Sequence, residues 1–192
     1  MAAAQVLFLR RGFNDVSMEA VAAAAGVSKM TVYSHFGDKE SLFEAVVRRT
    51  TGDVMAGMAA TGRGSGALTE QLLTIGQSYL QLVCSPDIVS CDRALTHSLA
   101  GNRALAQRFY DAGPGYMRAS ISHILQAAIA RGELRDDDTL DMADDLLSLW
   151  QGHLPKRLAL GVMAPMTAES IARQVERATG VFIRAYARTP PT

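Results

Sequence analysis

Apolar side chains recur along the chain at spacings of three and four residues, the period of an amphipathic helix, and no stretch alternates β-branched with polar residues long enough for a strand. The pattern predicts an all-α protein. The run Ala3 to Arg11 closes at Gly12; Ser17 caps MEAVAAAA, which stops at Gly26; Ser28 caps a short helix that ends with Phe36 and Gly37. Asp38 then caps a longer helix with Leu42, Phe43, Val46 and Val47 on one face, so four helices fit before about residue 60. Thr61 to Gly66 holds three glycines in six residues and reads as a hinge loop.

After that loop, Leu68, Leu72, Ile75, Tyr79 and Leu82 mark a helix that Pro86 closes, and Ile88, Cys91, Leu95 and Leu99 mark another over about Asp87 to Ala100. Asn102 caps a long segment that Gly113, Pro114 and Gly115 must break or kink, because proline removes a hydrogen bond and crowds the preceding turn. Its second half carries Met117, Ile121, Ile124, Leu125, Ala128 and Ile129, and stops at Gly132. Two long helices finish the pattern. Asp136 to Asp138 start one with Leu140, Ala143, Leu147, Trp150 and Leu154 on a stripe and Pro155 near its end; Thr167 caps the other, with Ile171, Val175, Ala178, Phe182 and Tyr186 on one face. About nine helices result, and only the terminal TPPT reads as a disordered tail.

Composition narrows the class. With 192 residues, 48% hydrophobic and 20% charged, the chain suits a folded, water-soluble protein with a sizeable core. Nineteen basic and nineteen acidic residues give a net charge of zero, which disfavours a protein that coats nucleic acid unspecifically. Two cysteines make neither a disulfide framework nor a four-ligand metal site, and they fit a cytoplasmic chain with free thiols. The uncharged run Gln71 to Pro86 is too short and too polar to span a bilayer, so no membrane association is expected. In MAAAQVLFLRRGF the arginines follow the apolar stretch, the reverse of a secretory signal, and the segment reads as mature sequence.

Residues Ser17 to Phe36 have the grammar of a helix-turn-helix: an alanine-rich helix, a short turn with glycine, and a second short helix with a polar outer side. Ala22 to Ala25 are expected to let the two helices cross closely, with Gly26 making the turn and Val27 plugging the space between them. The second helix offers Lys29, Met30, Thr31, Tyr33, Ser34 and His35 to its exposed side, none of them acidic. A helix of this size fits the DNA major groove.

At this point the sequence resembles the TetR/AcrR transcriptional regulators. The string GFNDVSMEAVAAAAGVSKMTVYSHFGDKESLFEAVV, Gly12 to Val47, follows that family's GF, capping Ser/Thr, alanine-rich helix, AGVS, Y-x-H-F and K-E-x-L pattern. RFYDAGPGYM followed by ARGELRDDD resembles the AefR-like C-terminal subgroup. The resemblance implies a helix-turn-helix DNA-binding domain over residues 1–47 and a larger helical effector-binding and dimerisation domain over residues 48–192. It implies Ser28, Lys29, Met30, Thr31 and Ser34 on the reading helix, with Lys29, Met30 and Thr31 facing bases and Tyr33 and His35 on or near phosphates. Ser17 would cap its helix near phosphate, and Lys39 would bind phosphate beside the amides of a helix start. Phe13, Phe36 and Leu42 read as core. Members usually carry several residues, often basic, before the first helix, whereas Met1 aligns near that helix's start.

Residues 1–50 hold six basic groups (Arg10, Arg11, Lys29, Lys39, Arg48, Arg49) and five acidic ones (Asp15, Glu19, Asp38, Glu40, Glu44), a net of +1. One such unit would bind weakly, and two held at half-site spacing would bind usefully, so a homodimer on a palindromic operator is expected. The resemblance places its interface on the last two helices, about 139–160 and 167–187, with packing inside one chain as the alternative use of their apolar stripes. It also implies a cavity for a small-molecule effector among the middle helices, with Tyr79, Cys91, His97, Tyr110, Tyr116, Met117, Trp150 and His153 as candidates. An effector that prefers one spacing of the reading heads would shift operator affinity by ~1–3 kcal/mol, with the helix that starts at Lys39 as the lever.

Other signals point to less. Gly62, Gly64 and Ala67 spell G-x-G-x-x-A without a preceding strand, and a loop explains them. The aspartates from Asp136 to Asp145 read as a solvated face near a helix start, not a metal site. Cys84 and Cys91 lack a basic neighbour, which favours inert buried thiols over a redox pair. No histidine or serine sits in a catalytic spacing, so neither enzymatic activity nor a cofactor is expected. The reading is a ligand-responsive repressor; its alternative is a helical small-molecule-binding or interaction protein without DNA function.

Overall fold

The computed structural model describes residues 1–60, 67–99 and 101–188, and among these it is built from helices: α1 (Ala2–Arg11), α2 (Met18–Ala25), α3 (Lys29–Phe36), α4 (Lys39–Ala60), α5 (Leu68–Val83), α6 (Pro86–Leu99), α7 (Arg103–Ala112), α8 (Pro114–Ala130), α9 (Thr139–Gln151), α10 (Leu154–Ala159) and α11 (Ala168–Tyr186). Thr61 to Gly66 and the TPPT tail lie outside the described residues. The helix starts follow local chemistry. Ser17, Ser28, Asn102, Asp138 and Thr167 each accept a backbone N–H of their own first turn, which satisfies donors that the helix leaves unpaired.

Among the described residues, eleven helices stand where the periodicity predicted about nine. Pro114 occupies the first turn of α8, where its missing N–H costs nothing, so the long segment after Asn102 becomes two helices. Pro86 likewise opens α6 instead of closing α5, which ends at Val83. The expected helix through Leu154 stops at Gln151, because Gly152 takes a positive φ of 49° and Pro155 lies in the first turn of the separate α10.

Among the described residues, two apolar clusters form the core. The larger gathers Leu72, Ile75, Leu80, Ile121, Leu125, Met142, Leu146, Trp150, Val175 and Phe182 from α5, α8, α9 and α11. Ala143, Trp150, Ile171, Val175, Ala178 and Phe182, drawn from the two stripes considered for a partner, are buried here within the single chain. The smaller cluster packs Phe8, Phe13, Val16, Val21, Val32, Leu42 and Phe43 from α1 to α4, and Leu95 of α6 and Leu105 of α7 complete it. Phe43 is its hinge pin, with its ring centroid 5.0 Å from Phe8, 5.1 Å from Phe13 and 6.0 Å from Phe109 of α7.

The packing of α2 on α3 differs from the expected one. Val27 is exposed and plugs nothing, Ala23 to Ala25 face solvent, and Ala22 alone of that run is buried. Gly26 adopts the left-handed conformation, φ 67°, with Val27 N–H bonded to the Ala22 carbonyl and Gly26 N–H to that of Ala23. This Schellman closure turns Val27 outward. Val21 and Val32 fill the contact in its place.

Candidate nucleic-acid interface

The short helix α3 is anchored by Val32, its one buried residue, and by Phe36, half-buried against the smaller cluster, and presents its other residues outward. Lys29, Met30, Thr31, Tyr33, Ser34 and His35 are all exposed, Met30 by 80% and Tyr33 by 40%. An apolar side chain as open as Met30 does nothing for the fold. Ser28 is a cap: its Oγ accepts the Thr31 N–H at 3.1 Å and lies 2.8 Å from the Thr31 hydroxyl. Ser34 donates to the Thr31 carbonyl at 3.0 Å. His35 rests beside the Phe36 ring, centroids 5.9 Å apart.

Lys29 bridges to Glu19 of α2, a contact that the pattern along α3 could not disclose. Each group shifts the other: the Glu19 carboxyl is held below its ordinary value chiefly by the hydrogen bond from Lys29, and Lys29 is raised by the same bond. The ammonium also sits 5.4 Å from the Tyr33 ring centroid.

Next to it lies an open cleft of about 370 Å³, lined by Asn14, Asp15, Val16, Ser17, Met18, Glu19, Tyr33 and Lys39. Ser17 accepts the Ala20 N–H at 3.1 Å, so the amino end of α2 opens into this cleft, and a side-chain hydrogen bond from its hydroxyl helps to hold the Glu19 carboxyl below its ordinary value. Lys39 enters from the start of α4. Its Nζ donates to the carbonyls of Phe13 at 3.1 Å and Asn14 at 3.4 Å and stands 4.4 Å from the Phe13 ring centroid. Lys39 thus ties α4 to the turn before α2, and an anion in the cleft would meet an ammonium already fixed in place. Helix-start amides, a hydroxyl and a lysine are the donor set that suits a phosphate oxygen; Asp15 and Glu19 oppose it from the same walls.

The proposed effector residues scatter. Tyr79 and Trp150 come together, centroids 6.2 Å apart, and Met117 is buried in the same cluster. Tyr79 donates to Gln151 Oε1 at 2.7 Å, and burial pushes its phenol up to about 12. Trp150 donates to the Thr179 hydroxyl at 2.9 Å. Cys91 instead faces α1, with its Sγ 3.8 Å from the Phe8 carbonyl oxygen, while Tyr110, Tyr116 and His153 are exposed. The side chain of His97 lies outside the described residues. Gln151 and Thr179, the polar groups that face Tyr79 and Trp150, were not legible as such in the sequence.

Residues 1–46 match the bacterial regulatory proteins of the tetR family, and residues 70–188 match the AefR-like transcriptional repressor C-terminal domain. The chain belongs to the TetR family. The DNA-binding transcriptional repressor TetR of Mycobacteroides abscessus is 28% identical over 190 residues, 98% of this chain and 94% of that relative. The flavonoid-responsive regulator FrrA is 31% identical, with a TM-score of 0.72 over 100% of this chain and 95% of its own. A TetR-family regulator from Mesorhizobium loti, 22% identical, shares the fold at a TM-score of 0.78 over 97% of this chain and 94% of that one. As a TetR-family member this chain is a transcriptional regulator with an N-terminal DNA-binding helix-turn-helix. The family is non-enzymatic, its members bind operators, and ligand response and dimerisation are typical of it. No helix among the described residues is long and apolar enough to cross a membrane.

Proposed function

We propose that this chain acts in the cytoplasm as a ligand-responsive repressor, a homodimer whose two α3 helices enter successive major grooves of a palindromic operator. The observation that carries this reading is the outer side of α3, exposed along its length and set beside a cleft with donors for phosphate. Residues 1–47 serve as the reading head and residues 48–192 as the effector-binding and dimerisation part. Lys29, Met30 and Thr31 face base edges; Ser17, Tyr33, His35 and Lys39 meet the backbone, with Ser28 and Ser34 shaping the helix between them.

The dimer forms through α9, α10 and α11. Their inward stripes are spent on the chain's own core, so the interface uses the outer sides, where Leu140, Leu147, Leu149 and Ile183 remain partly or largely exposed, with Leu160 and Val162 beyond α10. The effector enters near Tyr79, Met117 and Trp150, whose polar partners Gln151 and Thr179 would exchange bonds with a ligand. The similarity to a flavonoid-responsive regulator makes flavonoids the first class to titrate.

Selection of bound duplexes from a random pool, with the mass of the complex measured in solution, tests the reading. Enrichment of a two-fold symmetric site by a dimer is expected. A chain that stays monomeric and retains no duplex overturns it.

A further inference from the structure

We propose that Glu19 is a specificity-determining residue of the reading surface, because its carboxylate holds the Lys29 ammonium in an ion pair that DNA must displace. This rests on α3 being the DNA-contacting helix. Read along α3 alone, Lys29 is an unopposed positive charge, yet Glu19 of α2 accepts from its Nζ across the turn. The side chains of Lys29 and Glu19 are 58% and 52% exposed, so the pair lies open on the side that carries Met30 and Tyr33. Glu19 also forms part of the cleft wall with Ser17, Tyr33 and Lys39, where a free carboxylate would repel a phosphate.

The consequence differs between unselected and selected DNA. Attraction to arbitrary duplex comes from unpaired cations that release counterions, and a lysine already neutralised by its neighbour contributes little to it. A phosphate offers Lys29 an acceptor no better than the one it gives up. A base edge such as guanine O6 and N7, reached inside the groove, offers two acceptors at a site fixed by the rest of the contact. Lys29 therefore leaves Glu19 where the sequence repays the exchange, and elsewhere the pair stays closed.

The test uses the full chain as wild type, Glu19→Gln, Lys29→Gln and the double variant, with thermal unfolding as a check that each is folded. Affinity is measured over a salt series for a pool of random-sequence duplexes and for a duplex enriched from that pool. Glu19→Gln is expected to bind the random pool roughly 3- to 10-fold tighter and to steepen its log–log salt slope by about one, with a smaller change on the enriched duplex, so that discrimination falls. Glu19→Asp should keep wild-type discrimination. In the Lys29→Gln background the Glu19→Gln effect should vanish. An equal effect in that background, an unchanged discrimination ratio, or a loss confined to the enriched duplex overturns the proposal while leaving DNA binding intact. Failure of wild type and variants alike to retain any duplex removes the DNA-contacting reading itself.

Discussion

Arg108 reaches from α7 to α4, its Nε donating to Glu44 Oε2 at 2.9 Å and its terminal nitrogen donating to Ser41 Oγ at 3.0 Å. Glu44 also takes Arg48 at 3.1 Å, and the Ser41 N–H is bonded to the capping carboxylate of Asp38 at 2.6 Å. The start of α4, two residues from Lys39, is thereby joined to a helix of the C-terminal part.

Arg108 holds the Glu44 carboxyl below its ordinary value of 4.5, with Arg48 adding to the effect. A depressed carboxyl contributes stability that is present above its unfolded value and is lost as the pH falls through its folded one. Both side chains are partly exposed, so Arg108→Gln should cost at most ~1 kcal/mol at neutral pH. Urea unfolding followed from neutral pH into the range below 4.5 should show a smaller acid-induced loss in the variant than in wild type. Identical pH profiles would mean that the bridge carries no stability.

Gly76 of α5 is pressed against the main core. A Cβ at that position would stand 2.6 Å from Val175 Cγ1 and 2.7 Å from Trp150 Cε2. Gly76→Ala gains helix propensity but forces two buried side chains apart, and overpacking of this kind costs about 1–3 kcal/mol. A lowered thermal midpoint checks this; a raised one would show that α5 can shift at little cost.

Thr179 is one of two buried polar residues in the described chain and serves Trp150. Thr179→Val preserves shape but strands the indole N–H, at a cost of about 1–3 kcal/mol. Thr179→Ser keeps the acceptor and should lose less. Denaturant titration of the two variants separates the hydrogen bond from the packing.

Burial raises the Cys84 thiol from 9.0 to about 11, and burial likewise raises Cys91. The nucleophilic thiolate is scarce in both. A thiol reagent at pH 8 should therefore label the native chain slowly and the urea-unfolded chain rapidly. Fast native labelling at Cys84 would point to opening of α5.

Tyr33→Phe combined with Lys39→Met should abolish duplex retention and flatten what remains of the salt dependence. Because the Lys39 ammonium also bonds the Phe13 and Asn14 carbonyls, this variant is expected to melt below wild type while Tyr33→Phe alone does not. Retention of wild-type DNA affinity by the double variant would move the phosphate contacts elsewhere.

Most of the helices, and the starts that a side chain caps, were legible residue by residue, whereas the opening of α6 at Pro86 and the separate α10 were not. The 3.6-residue period and the caps at Ser17, Ser28, Asn102, Asp138 and Thr167 involve groups within four positions of one another, so their chemistry is written locally. The reading helix was legible for the same reason, since its polar outer side is a property of one turn after another. Which surfaces meet was not. An apolar stripe states that it must be covered and not by what, and the stripes of α9 and α11 close on their own chain through Trp150, Val175 and Phe182. The pairing of Lys29 with Glu19, the turning out of Val27 by Gly26, and the reach of Arg108 to Glu44 are set by distances between elements. Those distances exist only after the helices have packed, because a side chain's partner is chosen by three-dimensional proximity and its period only by the backbone that carries it.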